Sequence, residues 1–595
     1  MRLRISSFVL AAVSIIQTGF AAEGPIVDLG YATYQGYHDA TFGLNVWKGV
    51  RYAAAPVGKL RWQSPQPVRP QGNIDRVIPA VDQPPLCPQS GATGTPASYG
   101  FNSGPGDEDC LFLNVYAAPG ASGLPVLVWI HGGGYALFGA TYDPSAMMNT
   151  NNNGFITVEI QYRLGAFGFL SSEDVKDHGQ LNVGLLDQRF ALEWVQKHIS
   201  KFGGDPGRVT VGGESAGAGA VMLQALGYGG REDHLFQNII AASPYSAPIY
   251  EYNDPEPSGH YGKFVELAGC GQLLTGRGRH NTTFDCLLNA PTAALQNASG
   301  EVSTSGNVFG SFAFLPVIDG ELLTTRPSLQ LLHGHVSGQR ILVGNNANDG
   351  VPLSDPTIAD RASFDAHISR TFPNFTYHDI IALNRVYQTA GTSPSNTAPR
   401  FDTLGDAGPT ALNQSEMATG LQQTAFNIFA ESSFDCPAQW LTEAYSRRDR
   451  KAWKYQYSAT PAYHGADLSA YFSADSPTPD FNHAFQKIWG NFIINDTPVI
   501  SGSDATGNIS NASAPIDRHG NLAWPSFSVE EPWQMDLNTT GGTLSLHVET
   551  DHLQYYLRNG PGIVNVFRLV DAYDWEARRG YRCQWWRGMS GRVPL

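Results

Sequence analysis

The sequence predicts an α/β fold, a mostly parallel twisted sheet with helices on both faces, and three observations carry that prediction. Short apolar runs rich in β-branched and aromatic residues recur at Leu124–Ile130, 156–161, 209–211 and 340–343, the pattern of buried strands. Between them the period changes: across residues 183–202, Leu186, Phe190, Trp194, Val195 and Ile199 fall on one stripe of a helix. Strand and helix alternating in this way require a sheet covered on both faces. With 42% apolar and 15% charged residues, the composition is that of an ordinary globular protein with enough apolar side chains for a large core.

The N-terminus reads as a signal peptide over residues 1–21: Arg2 and Arg4, an apolar run over 8–16, then Gly19-Phe20-Ala21-Ala22, small where a signal peptidase cuts. A run of nine residues is too short to span a bilayer of roughly 30 Å as a helix. No later stretch has the length and apolarity of a membrane span, and the last residues resemble no retention signal, so secretion is expected. Eight Asn-x-Ser/Thr sites agree with export as glycan acceptors: Asn281, Asn297, Asn374, Asn413, Asn495, Asn508, Asn511 and Asn538. The six cysteines form an even set that an oxidising compartment lets pair, and none lies at the two-to-four-residue spacing of zinc ligands. A net charge of −15 disfavours nucleic acid and anionic membranes as partners.

A chain of 595 residues exceeds the roughly 250–300 at which one core usually stops growing, which favours two domains. The Gly-, Ser-, Thr-, Asn- and Pro-rich stretches 388–410 and 498–520 nevertheless read as surface loops rather than linkers. One large domain over residues 22–595 is therefore expected.

The chemistry centres on Gly212-Gly213-Glu214-Ser215-Ala216-Gly217, between a strand and a helix-like run at 218–226. Such a turn presents the serine hydroxyl at its tip, and the flanking glycines are needed because side chains there would collide with the neighbouring strand and helix. In a chain with 64 glycines the pattern alone is weak. The second motif, His131-Gly132-Gly133-Gly134, follows a strand and turns backbone N–H groups toward the point where a carbonyl oxygen becomes negative. Each such oxyanion donor is typically worth about 3 kcal/mol in the transition state. A phosphate loop would need Lys-Ser/Thr or a spaced glycine pattern opening a helix, and neither follows.

These motifs, with residues 202–217 and 108–116, Gly49-Val50-Arg51-Tyr52, Leu60-Arg61-Trp62, the run 162–169 and the run 182–188, resemble the type B carboxylesterases. These are the cholinesterase-like and fungal lipase-like family of α/β-hydrolases. The resemblance covers nearly all of the mature chain and implies the α/β-hydrolase fold with large loop insertions. It departs at Ala118, where proline is common.

The resemblance implies a triad in the chain order serine, acid, histidine. Ser215 takes the nucleophile position. His464, in Tyr463-His464-Gly465 after a strand over 453–457, takes that of the base. The acid position reads Asn348-Asp349-Gly350, with Asp349 where the family usually has glutamate, so the imidazole must come closer or the loop must shift. Asp319, in Val317-Ile318-Asp319-Gly320, resembles a family turn without a catalytic role.

Gly133, Gly134 and Ala216 are the expected oxyanion hole, and an acyl-enzyme on Ser215 the expected intermediate, with no cofactor and no metal. Glu214 is read as a source of negative potential, a water holder or merely a cap. The family's pairing implies Cys87 with Cys110, Cys270 with Cys286, and Cys436 with Cys583, although six cysteines alone allow fifteen arrangements.

The family also holds non-catalytic binding proteins that have lost the serine or histidine, and this chain retains both. The segment between Cys87 and Cys110 has no tryptophan, where choline esterases carry a cation-binding ring. In lipases of the family that segment is an apolar lid. Here only Tyr99 and Phe101 are large and apolar, which favours small-molecule esters with short to medium acyl chains over triacylglycerols, unless residues near Leu315 or Phe472 supply the lipid face.

Overall fold

The computed structural model describes residues 24–70, 76–94, 104, 106–271, 282–306, 308–388, 415–507 and 511–595. The signal segment 1–21, Tyr99, Phe101, Asn281, Asn413, Asn508 and nearly all of 388–410 lie outside the described residues.

Alternation along the apolar strands makes two cores, one on each face of a sheet. Val126, Val128 and Ile130 point to one core and Leu127 and Trp129 to the other, because successive side chains of a strand face opposite ways. The eleven strands of the sheet are, in chain order, β1 (Tyr37–Asp39), β2 (Leu44–Arg51), β3 (Phe112–Ala117), β4 (Leu124–Ile130), β5 (Ile156–Ile160), β6 (Gly204–Glu214), β7 (Asn238–Ala242), β8 (Arg340–Asn346), β9 (Lys451–Tyr457), β10 (Trp533–Thr540) and β11 (Val564–Asp571).

Their spatial order is β11-β10-β9-β8-β7-β6-β4-β5-β3-β2-β1. From β10 to β5 every neighbouring pair is parallel. The outer strands β11, β3, β2 and β1 pair antiparallel. Strand β6 is longer than its apolar run 209–211, since the glycine-rich residues before that run continue the ladder to Gly204, opposite Leu124 of β4.

Helices cover both faces. On the first lie α1 (Val183–His198), α2 (Ala216–Gly230) and α4 (Cys436–Tyr445), through residues such as Leu192, Val221 and Trp440. The second is covered by α5 (Pro479–Asn495), through Phe485, Trp489 and Phe492. Helix α6 (Trp575–Gly588) packs beside α4, and α3 (Gly420–Ala430) runs into it through the turn Glu431–Asp435. In α1 the deepest residues are Leu185, Leu192 and Val195, while Leu186 and Phe190 of the predicted stripe are half-buried; with Asp187 inside and paired to Arg163 at 2.7 Å, the helix is enclosed on more than one side. A short 3₁₀ turn, Ile199–Phe202, ends it at Gly203, whose φ of 88° and approach to the Ala121 carbonyl leave no room for a side chain.

Three disulfides join Cys87 to Cys110, Cys270 to Cys286 and Cys436 to Cys583. Residues 88–94 form neither helix nor strand. The stretch 498–520, expected as surface loop, contains a one-turn helix, Gly502–Thr506, with Ala505 fully buried. Of the acceptor asparagines, Asn297, Asn374, Asn495 and Asn511 are exposed. The expectation at Asn538 is corrected: it sits inside β10 at 3% exposure, paired across to Val566, where the sheet leaves no space for a glycan. Among the described residues, no helix is long and apolar enough to cross a membrane.

Candidate active site

The glycine loop, the serine, the aspartate and the histidine each follow the carboxyl end of a parallel strand. Gly133 and Gly134 come after β4, Ser215 after β6, Asp349 after β8 and His464 after β9. Open parallel sheets gather loops at that edge.

The Ser215 turn is held by close backbone contact. Its φ and ψ of 59° and −127° are unusual for a non-glycine residue, and its N–H donates to Ala242 O at 3.0 Å while its carbonyl accepts from Tyr245 N–H at 3.0 Å. A Cβ on Gly213 would stand 2.5 Å from the Gly217 carbonyl carbon, and one on Gly217 would stand 2.1 Å from Ile130 O. Those two glycines let β6, β4 and α2 approach.

Beside the turn, Gly133 and Gly134 have φ of 98° and 63°. A Cβ on Gly133 would meet Leu137 O at 2.3 Å, and one on Gly134 would meet the Phe312 ring at 2.1 Å. Ala216 opens α2 directly after Ser215. Gly133, Gly134 and Ser215 border one pocket of about 170 Å³, walled by Phe138, Tyr142, Phe312, Leu353, Phe434 and Leu468.

The three polar residues form one chain. Ser215 Oγ lies 2.8 Å from Nε2 of His464, and Nδ1 of His464 lies 2.9 Å from Oδ1 of Asp349. Asp349 is fully buried; Asn346 N–H donates to its Oδ2 at 2.7 Å, and the Ser243 hydroxyl lies 3.0 and 2.9 Å from its two oxygens. The two loops are tied to each other, His464 N–H donating to Val351 O at 2.9 Å and Asn348 N–H to Ala462 O at 2.9 Å. The Phe434 ring covers the imidazole, centroids 4.2 Å apart. Aspartate thus reaches the imidazole without a longer side chain.

Glu214, 4% exposed, places Oε1 3.5 Å from His464 Nε2. Burial raises its carboxyl above the usual range, His464 pulls it back down, and Asp467 and Asp349 add repulsion. Burial alone would lower the His464 imidazole. The charge of Glu214 and the hydrogen bond and charge of Asp349 outweigh it, and the net shift is upward.

Ser243 was not singled out by sequence, since Ser243-Pro244 looks like any loop start. Only the strand order, which sets the end of β7 between β6 and β8, gives it away. Asp319 stands apart from this chain, accepting from Asn182 Nδ2 at 2.7 Å and from the N–H groups of Glu321 and Leu323 as a turn residue.

Through Tyr245 and Phe312 the pocket adjoins a larger chamber of about 530 Å³ whose wall includes Phe169, Phe314, Phe372 and Phe429. Leu315 lines that chamber, whereas Phe472 is buried against Tyr142 and Trp129 and presents no outward face.

A serine on a strand–turn–helix elbow, with a histidine and a carboxylate after later strands of the same parallel sheet, defines the α/β-hydrolase class. Within that class the chain belongs to the carboxylesterase family, which its residues 23–556 match. It is 30% identical over 545 residues to "Carboxylesterase patB" of Penicillium expansum, covering 82% of this chain and 90% of that one. It is 33% identical over 365 residues to "Secreted lipase 1" of Botryotinia fuckeliana, covering 56% and 61%. Among solved structures, EstA of Aspergillus niger superposes with a TM-score of 0.72 at 23% identity, covering 96% of this chain and 99% of that one. The protein is a carboxylic ester hydrolase.

Proposed function

We propose that this is a secreted serine esterase in which Ser215 attacks the ester carbonyl, His464 takes the Ser215 proton and then protonates the leaving alcohol, and Asp349 orients and stabilises the imidazolium. The oxyanion is held by N–H groups of Gly133, Gly134 and Ala216, and a water activated by His464 releases the acyl group. The observation that carries this reading is the unbroken chain from Ser215 through His464 to Asp349, ending beside the glycine loop. Export is supported by the signal-like residues 1–21, by three disulfides and by a relative named as secreted.

The pocket of about 170 Å³ around Ser215 and the irregular segment 88–94 favour dissolved esters with short to medium acyl chains. The adjoining chamber of about 530 Å³ favours a second reading, a lipase that houses a long acyl chain there. Rates on tributyrin measured across its solubility limit, for the parent and Ser215→Ala, test both. The expected result is saturation before emulsion forms and a fall of at least about 10⁴-fold in Ser215→Ala. A sharp rise on emulsification, or faster cleavage of triolein, would establish the lipase reading. Near-parental turnover by Ser215→Ala would remove Ser215 as nucleophile.

A further inference from the structure

The first face of the sheet changes character toward β10. Ile341, Val343 and Ala452 belong to its apolar core, yet the next positions on the same face are Asn345, Lys454, Gln456, Gln534 and Asp536, all buried. Lys454 is 3% exposed, and its ammonium donates to Asn345 Oδ1 at 3.0 Å and Gln534 Oε1 at 2.6 Å. Two elements close over this row. The π-helical turn Glu431–Asp435 brings two carboxylates, and α6 brings Glu576, Arg579 and Arg582.

Arg579 Nε lies 3.2 Å from Asp435 and 3.6 Å from Glu431; Arg582 lies 2.5 Å from Glu431; Gln456 takes a bond from Arg579 at 2.9 Å and gives one to Glu576 at 3.0 Å. The Cys436–Cys583 disulfide clamps the two elements together. Well-packed apolar residues commonly replace buried ion clusters without loss of stability, so stability alone does not account for this one.

The cluster adjoins the acid arm of the site. Asn345, which holds the Lys454 ammonium, precedes Asn346, whose N–H binds Asp349. The charge of Asp349 acts on Lys454, Asp435 and Arg579 alike.

We propose that Lys454 is a positioning residue for ester hydrolysis: its buried ammonium, fixed behind the Asp349 loop, offsets the charge of Asp349 and so sets the pH below which His464 no longer accepts the Ser215 proton. The proposal rests on the reading of Ser215, His464 and Asp349 given above. The charged groups acting on Lys454 are Arg579 from α6, Asp435 from the turn and Asp349 itself; Glu431 and Arg582 join the cluster through Arg579, Glu576 joins it through Gln456, and Asp536 pairs with Gln456 across to β10. Removing the cation strengthens the negative field at the His464–Asp349 pair, which then holds a proton to higher pH, whichever of the two carries it.

The test is the acidic limb of kcat/KM against pH, with p-nitrophenyl butyrate as substrate. In Lys454→Met the limb is expected to move up by about half a pH unit or more, and in Asp435→Asn to move down. Lys454→Met/Asp435→Asn, which removes one charge of each sign, should return the limb close to that of the parent, and Lys454→Arg should retain it. A scaffold role predicts lower kcat with an unmoved limb. That outcome, or both single variants moving the limb the same way, overturns the proposal. If Lys454→Met does not fold, Asp435→Asn and the double variant still carry the sign. Loss of the triad reading would appear separately, as activity in Ser215→Ala.

Discussion

On the Ser215 side of the pocket, position is fixed by backbone packed on backbone. Gly213, Gly217 and Gly133 each leave room for a carbonyl group where a Cβ would come within 2.5 Å. On the side of His464 and Asp349, position is fixed by hydrogen bonds to side chains, three of them converging on Asp349 from His464, Asn346 N–H and Ser243. Steric packing of the first kind admits no intermediate state, because a carbonyl two ångströms from a methyl group must move. A set of hydrogen bonds can lose one member and keep the rest. The two halves should therefore answer mutation differently, abruptly on one side and in steps on the other.

The largest test removes the charge itself on the stepwise side. Asp349→Asn is expected to lower kcat by about 10⁴-fold, since the amide favours the wrong imidazole tautomer on His464; retention of more than about a tenth of the activity would mean that another carboxylate orients the base. Next comes the abrupt side. Gly133→Ala places a methyl 2.3 Å from Leu137 O at a φ of 98°, and displacement of the oxyanion donors should cut kcat by about 10²- to 10³-fold with KM little changed. A mild effect there would mean that the loop yields, and the contrast between the halves would collapse.

Ser243→Ala deletes one of the bonds to Asp349. A hydrogen bond to a charged group is worth about 1.5–3 kcal/mol, so a loss of roughly 10- to 100-fold is expected, smaller than for Asp349→Asn. The smallest effect is on pH dependence. Glu214 favours the protonated form of His464, so Glu214→Gln should lower the imidazole pKa and carry the acidic limb of kcat/KM to lower pH by about half a unit. A limb that rises instead would mean that Glu214 does not act on His464 through its charge.

The same division governs what could be read from the amino-acid sequence. Close approach demands glycine at fixed offsets, so Ser215, Gly133 and Gly134 stand out from their neighbours. Strands β4 and β5 are likewise legible, as runs of β-branched residues. Hydrogen bonding demands only a polar atom somewhere near, and Ser243 leaves no such trace. Asp349 was identified by its place in the family pattern, its Asn348-Asp349-Gly350 setting having the composition of any turn. Lys454 and Gln456 alternate with Trp453, Tyr455 and Tyr457 in the pattern of a solvent-facing edge, yet both are buried. What covers them comes from α6, more than a hundred residues further along, and from the turn Glu431–Asp435, about twenty residues back, which no local period records.

The Cys436–Cys583 bond, 147 residues across, divides the molecule in another sense. It closes a covalent ring that contains β9, His464, α5 and β10, while Ser215 and Asp349 belong to the open chain outside it. Cross-linking a loop of that size removes conformational freedom from the unfolded chain worth up to about 5 kcal/mol. The ring therefore keeps the part of the polypeptide that bears His464 near its docking place even when the sheet opens.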